Sequence, residues 1–309
     1  MTVSDWRDRP AALVAPLYEA ERARWQRELG WDTTATWAVV EEARRSGRLP
    51  GFVLESGGRT MGWTFFLPHG DSLQVGALAA HEARGIRLLL ERVLAAPEGA
   101  HARTVSLFLF PESAALGAAL ARRRFSQRGH EYLTLDLASP GVGPAEPTLR
   151  PWREGDETAT VRLMADAYRG LPSSVCYAPH GRLEEWAWYV GQLLRTPACG
   201  TLRPELTFVA PRPGGQPPAG VILTTAVSPE TAHVAQVAVA PDARGRGVGR
   251  ALVTASIRRA RELGFRRLTL MVADDNAPAR RLYASLGFAP GPAFLYAARP
   301  LPSRLARAS

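Results

Sequence analysis

Three glycines at alternate positions, Gly245, Gly247 and Gly249, separate an apolar segment of alternating pattern from a run with helical periodicity. Glycine lacks the Cβ atom that blocks close approach, so successive backbone N–H groups can converge on one anion, which the dipole of the following helix also favours. The pattern therefore predicts a phosphate-binding loop. It disfavours a dinucleotide, because Arg250 stands where G-x-G-x-x-G requires its last glycine. A tight turn that binds nothing is the alternative interpretation.

A second group of polar residues, Asn276, Arg280 and Tyr283, is spaced at i, i+4 and i+7 and so lies on one side of a predicted helix. Asn276 is the only asparagine of the chain. These residues can bind a ligand from one helix face, yet Asn276 is also a typical helix N-cap and Tyr283 a typical amphipathic core residue. Both interpretations stay open, and Asn276 is able to cap and bind at once.

The elements that must position these residues are a strand over 231–240, a helix from the glycine loop to about 263, a strand over 266–272 and a helix over 277–286. The first strand is largely apolar on both faces, which is typical of a strand covered on both sides. The order strand, loop, helix, strand, helix predicts a mixed sheet with helices packed on it.

The two halves of the chain show the same order of elements. The segment ASPGVGPAEP at 138–147 has the composition of a linker, which predicts domains over 1–137 and 148–309. LFLFPESAALGAALARRRF in the first half corresponds to LTLMVADDNAPARRLYASLGF in the second, in strand, turn, helix and final Phe. An internal duplication explains this, and the predicted fold class is α/β, with an α+β type mixed sheet in each copy.

Composition excludes several classes of protein. The formal net charge is +9, and all 38 basic residues are arginine. Without lysine there is no Walker loop, protein-kinase site or pyridoxal Schiff base. The arginines are scattered among Asp and Glu, which argues against nucleic acid as a partner and leaves a nucleic-acid binder as the weakest interpretation.

Two cysteines without metal-type spacing predict neither disulfide framework nor metal site. The sequence has no apolar run long enough to cross a membrane and no signal peptide at its start, so we expect a cytoplasmic protein without membrane partners.

Together, Arg244-x-x-Gly247-x-Gly249 and, about thirty residues later, Asn276-x-x-Ala279-x-x-x-Tyr283-x-x-x-Gly287-Phe288 resemble the GNAT superfamily of acyl-coenzyme A-dependent N-acyltransferases. The resemblance covers about 147–300 strongly. It implies two tandem GNAT-like domains, each a twisted mixed sheet flanked by helices, with acetyl-coenzyme A as cosubstrate and a primary amine, on a small molecule or a protein, as acceptor.

The resemblance also assigns residues to the cosubstrate. The main chain of 237–239 would pair with the pantetheine arm, the amides of 246–250 would bind the pyrophosphate, Asn276 would contact the pantetheine or phosphate region, and Tyr283 the thioester sulfur. The full set of expected contacts is Val237, Ala238, Val239, Arg244, Gly245, Arg246, Gly247, Val248, Gly249, Arg250, Asn276, Ala279, Arg280 and Tyr283.

Attack of an amine on a thioester needs an acid, an oxyanion donor and a neutral amine. Tyr283, with a reference pKa of about 10, is the candidate acid, and a strand amide at Val237 or Val239 the candidate oxyanion donor. Strict alternation places His233 on the same face as these valines, which makes it the candidate base. Alternatively, His233 only forms a hydrogen bond with a neighbouring residue, and water accepts the proton. Glu184 and Glu185 on the predicted second helix are further candidates for the base.

The first copy departs from the pattern, since Leu120 replaces Tyr283 and Arg124 replaces Gly287. We expect a degenerate partner domain there, with a role in burying surface, shaping the acceptor cleft or forming a homodimer. In the second copy, the aromatic residues between 168 and 189 either line the acceptor cleft or belong to the core, so the acceptor stays open. The alternative to an enzyme is a non-catalytic acyl-coenzyme A sensor.

Overall fold

The computed structural model of the protein describes residues 1–109, 114–138 and 149–301. It has a mixed α/β structure in which helices flank mixed sheets, as the sequence predicts. The chain divides into two compact units. Apart from Ala138, the predicted linker at 138–147 lies outside the described residues, so the boundaries 1–137 and 148–309 stay a prediction.

The first half of the chain contains four helices and six strands among its described residues. In chain order they are β1 (Thr2–Asp5), α1 (Ala11–Leu29), α2 (Thr34–Arg45), β2 (Gly51–Ser56), β3 (Arg59–His69), β4 (Ser72–Ala80), α3 (Ala83–Ala95), β5 (Thr104–Leu109), α4 (Ala114–Arg122) and β6 (Ser126–Asp136). The sequence predicts every one of these except β1.

The second half repeats this alternation of strands and helices, with additional short 3-10 turns. Its elements are β7 (Arg150–Pro151), α5 (Glu157–Tyr168), α6 (Leu183–Arg195), β8 (Thr201–Leu202), β9 (Phe208–Ala210), β10 (Gly220–Ala226), β11 (Thr231–Val239), α7 (Val248–Glu262), β12 (Arg267–Ala273), α8 (Ala277–Ser285) and β13 (Ala289–Pro300). The elements that carry both motifs of the sequence lie where they are predicted. No helix in the described part of the chain is both long and apolar enough to cross a membrane.

Unit 1 comprises, among the described residues, Met1–Arg24, Trp37–His130 and 293–301. Strands β1 to β4 pair antiparallel in sequence order, and β5 joins β4 in parallel. The next strand is β13, which pairs antiparallel with β5 from Leu295 opposite Leu109 onward. The last strand of the chain therefore completes the sheet of unit 1.

Unit 2 comprises Trp25–Thr36 and Glu131–Pro292. Its strand order is β6, β12, β11, β10, β9 and β7, with β11 and β12 parallel and β10 antiparallel to β11. The carboxyl half of β6 thus supplies a strand beside β12 to this sheet. Each unit contains a strand from the other half of the sequence, so neither half contains all the strands of its own sheet.

The segment Trp25–Thr36 is tied to unit 2 by hydrogen bonds as well as by packing. The Asp32 N–H donates to the Val227 carbonyl at 2.7 Å, and the Thr36 hydroxyl donates to the Pro197 carbonyl at 3.0 Å. Trp31 is only 4% exposed. A segment close to the N-terminus is therefore part of the second core.

The ends of α4 and α8 have the same local geometry. After α4, Arg124 has a φ of 58° and the Phe125 N–H donates to the Leu120 carbonyl at 3.1 Å. After α8, Gly287 has a φ of 89° and the following N–H of Phe288 makes the equivalent 3.1 Å bond. Arginine adopts a left-handed conformation only at a cost of about 1–2 kcal/mol, so its presence here supports the internal duplication.

Candidate active site

The glycine loop between β11 and α7 is exposed. Gly245 and Gly247 have φ values of 73° and 81°, a left-handed conformation that an L side chain adopts at a cost of about 1–2 kcal/mol. The first hydrogen bond across the start of α7 runs from the Ala251 N–H to the Gly247 carbonyl at 2.9 Å. The amides at 248–250 precede it and have no helical acceptor, and the helix dipole favours negative charge at the same point. The loop thus has the geometry of an anion site.

Gly249 differs from the other two glycines because it is already inside α7. A Cβ atom there would lie 3.6 Å from the Val239 side chain and 3.7 Å from that of Leu282, which are ordinary van der Waals distances. The fold alone therefore tolerates a methyl group at Gly249. A requirement for glycine at this position would come from a ligand that approaches the backbone.

The arginines of the two motifs are engaged in different ways. Three bind protein oxygens: Arg244 donates to the Ala167 carbonyl, Arg250 to Ser285 Oγ at 2.6 Å and Arg280 to Glu131 Oε2 at 2.9 Å. Arg246 is exposed, and its guanidinium makes no hydrogen bond to a residue that the structure describes. Arg246 is therefore the loop cation that is available to an anion.

A gap opens between β11 and β12 toward their carboxyl ends. Their parallel pairing ends at Val234 opposite Leu270, although β11 continues to Val239 and β12 to Ala273. Because the carboxyl ends of parallel strands meet at one edge of a sheet, the gap, the glycine loop and the start of α8 share that edge.

Two backbone donors of β11 point into this gap. The Ala240 N–H donates to the Ala219 carbonyl at 2.9 Å, on the β10 side of the strand. Since the direction of the N–H groups alternates along a strand, those of Val237 and Val239 point away from β10 and toward the gap. An extended chain lying there can pair with these amides as an additional strand.

Asn276 is the N-cap of α8, as the structural interpretation of its position predicts. Its side-chain oxygen accepts a hydrogen bond from the Ala279 N–H at 3.3 Å. The side-chain amide nitrogen makes no hydrogen bond within the described residues, so Asn276 keeps two N–H donors for a ligand.

Tyr283 is buried in α8, and its ring contacts Phe288 edge-on at a centroid distance of 5.7 Å. Burial raises the pKa of the phenol, so it is protonated at neutral pH. Its hydroxyl makes no hydrogen bond to any residue of the described chain. The hydroxyl is therefore available to donate a hydrogen bond to a ligand.

A bulge in β11 changes the position of His233. The register between β11 and β10 slips by one residue at Ala235. Because a one-residue slip moves side chains to the opposite face of the sheet, His233 shares the face of Gln236 and not that of Val237 and Val239. The prediction from strict alternation is wrong on this point.

His233 is 3% exposed and enclosed by aromatic rings. Trp31 contacts it edge-on at 4.8 Å between centroids, Tyr132 stacks on it at 5.9 Å, and its Nδ1 lies 2.9 Å from the Thr269 hydroxyl. Burial lowers the pKa of the imidazole to about 3. His233 is thus hydrogen-bonded by a neighbouring residue, as the alternative to a catalytic base predicts. The low basicity of its imidazole weighs against a role as catalytic base.

Glu184 and Glu185 differ in their surroundings. Glu184 is exposed on α6, whereas Glu185 is 7% exposed and accepts hydrogen bonds from the backbone N–H groups of His180, at 3.0 Å, and Arg182, at 3.1 Å. Burial alone would raise the pKa of Glu185, but hydrogen bonds from His180 and Arg182 outweigh it and the pKa is lowered. Glu185 therefore caps the start of α6 as a carboxylate.

An aromatic group at the ends of α5 and α6, which we call the tyrosine cluster, consists of Tyr168, Tyr177, Trp186 and Tyr189. Neighbouring ring centroids are 4.9–6.1 Å apart. Trp186 is 1% exposed and belongs to the core, as one of the two interpretations predicts, whereas the three tyrosines are half-buried. The cluster lies on the face of β11 that carries Gln236, to which Tyr168 donates a hydrogen bond at 2.7 Å.

Gln236 lies beside these residues, although neither sequence motif includes it. Its side-chain oxygen also accepts the Val237 N–H at 3.0 Å, and its amide nitrogen donates to the Tyr189 hydroxyl at 3.3 Å. A signal was present, since Gln236 is the only polar side chain between His233 and Val239 in an otherwise apolar strand.

The corresponding positions of unit 1 lack these features. The N-cap of α3 is Glu82, whose carboxylate would repel an anion at the helix start. A Cβ atom at Gly85 would lie 2.7 Å from the Leu54 side chain, so this glycine allows close packing of α3 instead of opening a site. Leu120, at the position of Tyr283, is fully buried.

Comparisons with known proteins agree with these features. The model of the acetyltransferase (GNAT) family matches residues 164–288. Proteins named mycothiol acetyltransferase are similar: that of Salinispora arenicola is 30% identical over 230 residues, 71% of this chain and 70% of the relative. That of Thermobispora bispora is 31% identical over 229 residues, which are 69% of this chain and 72% of the relative. The match to Pseudarthrobacter chlorophenolicus, 34% identical, spans only 47% of this chain and 43% of that relative.

Solved structures with the same fold cover nearly the whole chain. A GCN5-related N-acetyltransferase from Sphaerobacter thermophilus is 20% identical with a TM-score of 0.63, over 94% of this chain and 91% of that one. A tandem GNAT protein from the clavulanic acid biosynthesis pathway is 20% identical with a TM-score of 0.56, over 82% of each chain. The family match in unit 2, together with relatives that align over about 70% of both chains, shows that the chain belongs to the acetyltransferase (GNAT) family.

Proposed function

We propose that unit 2 transfers an acetyl group from acetyl-coenzyme A to a primary amine by direct attack in a ternary complex. The observation that carries the proposal is the group of donors around the gap between β11 and β12. These donors are the Val237 and Val239 amides, the amides that begin α7 and the unbonded hydroxyl of Tyr283. A thioester cosubstrate with a pyrophosphate and an extended pantetheine arm needs donors of these kinds.

The residues of unit 2 fit this cosubstrate without rearrangement of the loop. The amides at 246–250 would hold the pyrophosphate, with Arg246 adding positive charge, and the main chain at 237–239 would pair with the pantetheine arm. When bound, acetyl-coenzyme A supplies the acetyl group as a thioester. Either Val237 or Val239 then donates its N–H to the carbonyl oxygen, where negative charge develops during attack.

Tyr283 is the proposed acid. Its pKa is raised by burial, so the phenol keeps its proton and donates a hydrogen bond to the departing sulfur. A thiol has a reference pKa of about 8.5, and a thiolate leaving into the same buried space is more basic than one in water. Proton transfer from Tyr283 is therefore feasible although the phenol is a weak acid.

We assign no proton transfer to His233, because its pKa of about 3 leaves the imidazole a poor proton acceptor. The amine must instead arrive neutral or lose its proton to water on the side of the tyrosine cluster. Turnover is then expected to rise with pH until the acceptor amine itself is deprotonated.

The names of the relatives make a mycothiol-related amine the first acceptor to test. The half-buried tyrosines of the cluster offer hydroxyl groups and ring faces to a polar small molecule. Unit 1 is proposed as a degenerate partner that binds no acyl-coenzyme A, since Glu82 stands at its helix start. A cytoplasmic location, a homodimer and the lack of a metal stay predictions.

The test begins with calorimetric titration of the whole chain with acetyl-coenzyme A. We expect saturable binding near one equivalent, lost in Gly247→Glu, whose carboxylate would stand at the anion site. An assay of thiol release over a panel of amines, with the mycothiol-related amine first, follows. Binding without release for any amine would favour the non-catalytic sensor, and no binding at all would refute the proposal.

A further inference from the structure

We propose that Gln236 occupies, in the free protein, the hydrogen-bonding position that the thioester carbonyl of acetyl-coenzyme A takes, so that the acyl group displaces the glutamine side chain. The inference rests on the proposed function and adds a residue that sets the affinity for the acylated cosubstrate.

The Val237 N–H lacks a partner among the neighbouring strands. It points into the gap where β12 no longer pairs with β11, so it has no acceptor on a neighbouring strand. The structure shows the Gln236 side-chain oxygen 3.0 Å from the Val237 nitrogen, accepting this N–H. A side chain of the same strand therefore supplies the acceptor that the gap lacks.

Hydrogen bonds hold Gln236 in this position. Its oxygen also accepts the Tyr168 hydroxyl at 2.7 Å, and its nitrogen donates to the Tyr189 hydroxyl at 3.3 Å. The side chain is buried, with 6% of the residue exposed. The Tyr168 hydroxyl and the Val237 N–H together occupy both lone pairs of the amide oxygen. The bonds to Tyr168 and Tyr189 fix the orientation of the side chain.

The two carbonyls compete for one donor. A thioester carbonyl in the gap can receive the Val237 N–H only if the Gln236 oxygen gives it up, and the glutamine then keeps its bond from Tyr168. Coenzyme A without an acyl group has no carbonyl at this point, so its binding does not require the exchange. The proposal therefore predicts a difference between the two ligands, which a purely structural role of Gln236 does not.

The experiment is a pair of calorimetric titrations, with acetyl-coenzyme A and with coenzyme A, on the whole chain and on Gln236→Met. Methionine has nearly the same length and volume but cannot hold the Val237 N–H. We expect Gln236→Met to bind acetyl-coenzyme A about three- to tenfold more tightly and coenzyme A with unchanged affinity, as for one neutral hydrogen bond that no longer has to be broken. Gln192→Met, on α6 and away from β11, is the matched control and should change neither affinity.

Tyr168→Phe tests the same exchange with an effect of opposite sign. Removal of its hydroxyl leaves the Val237 N–H as the remaining donor to the Gln236 oxygen. Displacement by the thioester carbonyl would then leave this oxygen without a donor, so weaker binding of acetyl-coenzyme A is expected, again without a change for coenzyme A. Equal or weaker binding of acetyl-coenzyme A in Gln236→Met, equal or tighter binding in Tyr168→Phe, or equal changes for both ligands would overturn the inference. If the unsubstituted chain binds neither ligand, the proposed function itself fails.

Discussion

Burial of His233 makes the stability of the protein depend on pH in a way that the structure predicts in sign and size. Folding lowers the pKa of this imidazole from 6.5 to about 3. Below pH 6.5 the unfolded chain therefore binds a proton that the folded chain does not, so the stability due to the neutral ring is complete above pH 6.5 and declines as the pH falls toward 3. At pH 5 the loss from this one group is about 2 kcal/mol relative to pH 7.5.

The perturbation is His233→Asn, which keeps a donor near the Thr269 hydroxyl and removes the titrating group. Urea unfolding at pH 7.5 and pH 5.0 measures the free energy of unfolding of each protein. The substitution destabilises at pH 7.5, because Trp31 and Tyr132 lose a packing partner. The informative quantity is the difference in the free energy of unfolding between pH 7.5 and pH 5.0. We expect this difference to be about 2 kcal/mol smaller in the variant.

His101→Asn, at an exposed position, controls for the loss of a histidine as such and should keep the pH dependence of the unsubstituted chain. If His233→Asn and the unsubstituted chain lose the same stability between pH 7.5 and 5.0, the imidazole is not buried in its neutral form. Its assignment as a structural residue would then be wrong, and a role as catalytic base would return.

Three further predictions concern the site and the division into units. Tyr283→Phe should lower turnover about 100-fold while the affinity for acetyl-coenzyme A changes less than about twofold, because the hydroxyl acts mainly in the transition state; equal turnover would remove it from the mechanism. Gly247→Ala should lower the free energy of unfolding by about 1–2 kcal/mol owing to its positive φ, whereas Gly249→Ala should leave stability unchanged and weaken acetyl-coenzyme A binding. Equal unfolding free energies for the two variants would contradict this difference. A fragment of residues 148–309 should show no cooperative urea transition, since it lacks Trp25–Thr36 and the β6 strand of unit 2; a cooperative transition would show that the second half folds alone.

Much of the local structure follows from short-range sequence patterns. The three alternate glycines predict a loop that leads directly into a helix, and the structure places this loop before α7, with a positive φ at Gly245 and Gly247. One interpretation of Asn276 predicts a helix N-cap, which α8 confirms, and Gly287, just after this helix, has a positive φ. Such features depend on neighbours within about four residues, so the chain encodes them locally.

The sequence by itself thus determined the two motifs, the order of the elements and the class of fold. Only the tertiary structure decided which side chains share a face of the sheet and which segments form each unit, because both depend on contacts between distant parts of the chain. The bulge at Ala235, visible only in the register with β10, moves His233 to the face of Gln236 and away from that of Val237 and Val239. Likewise, the place of Trp31 in unit 2 depends on contacts with residues about two hundred positions away, which no local pattern encodes.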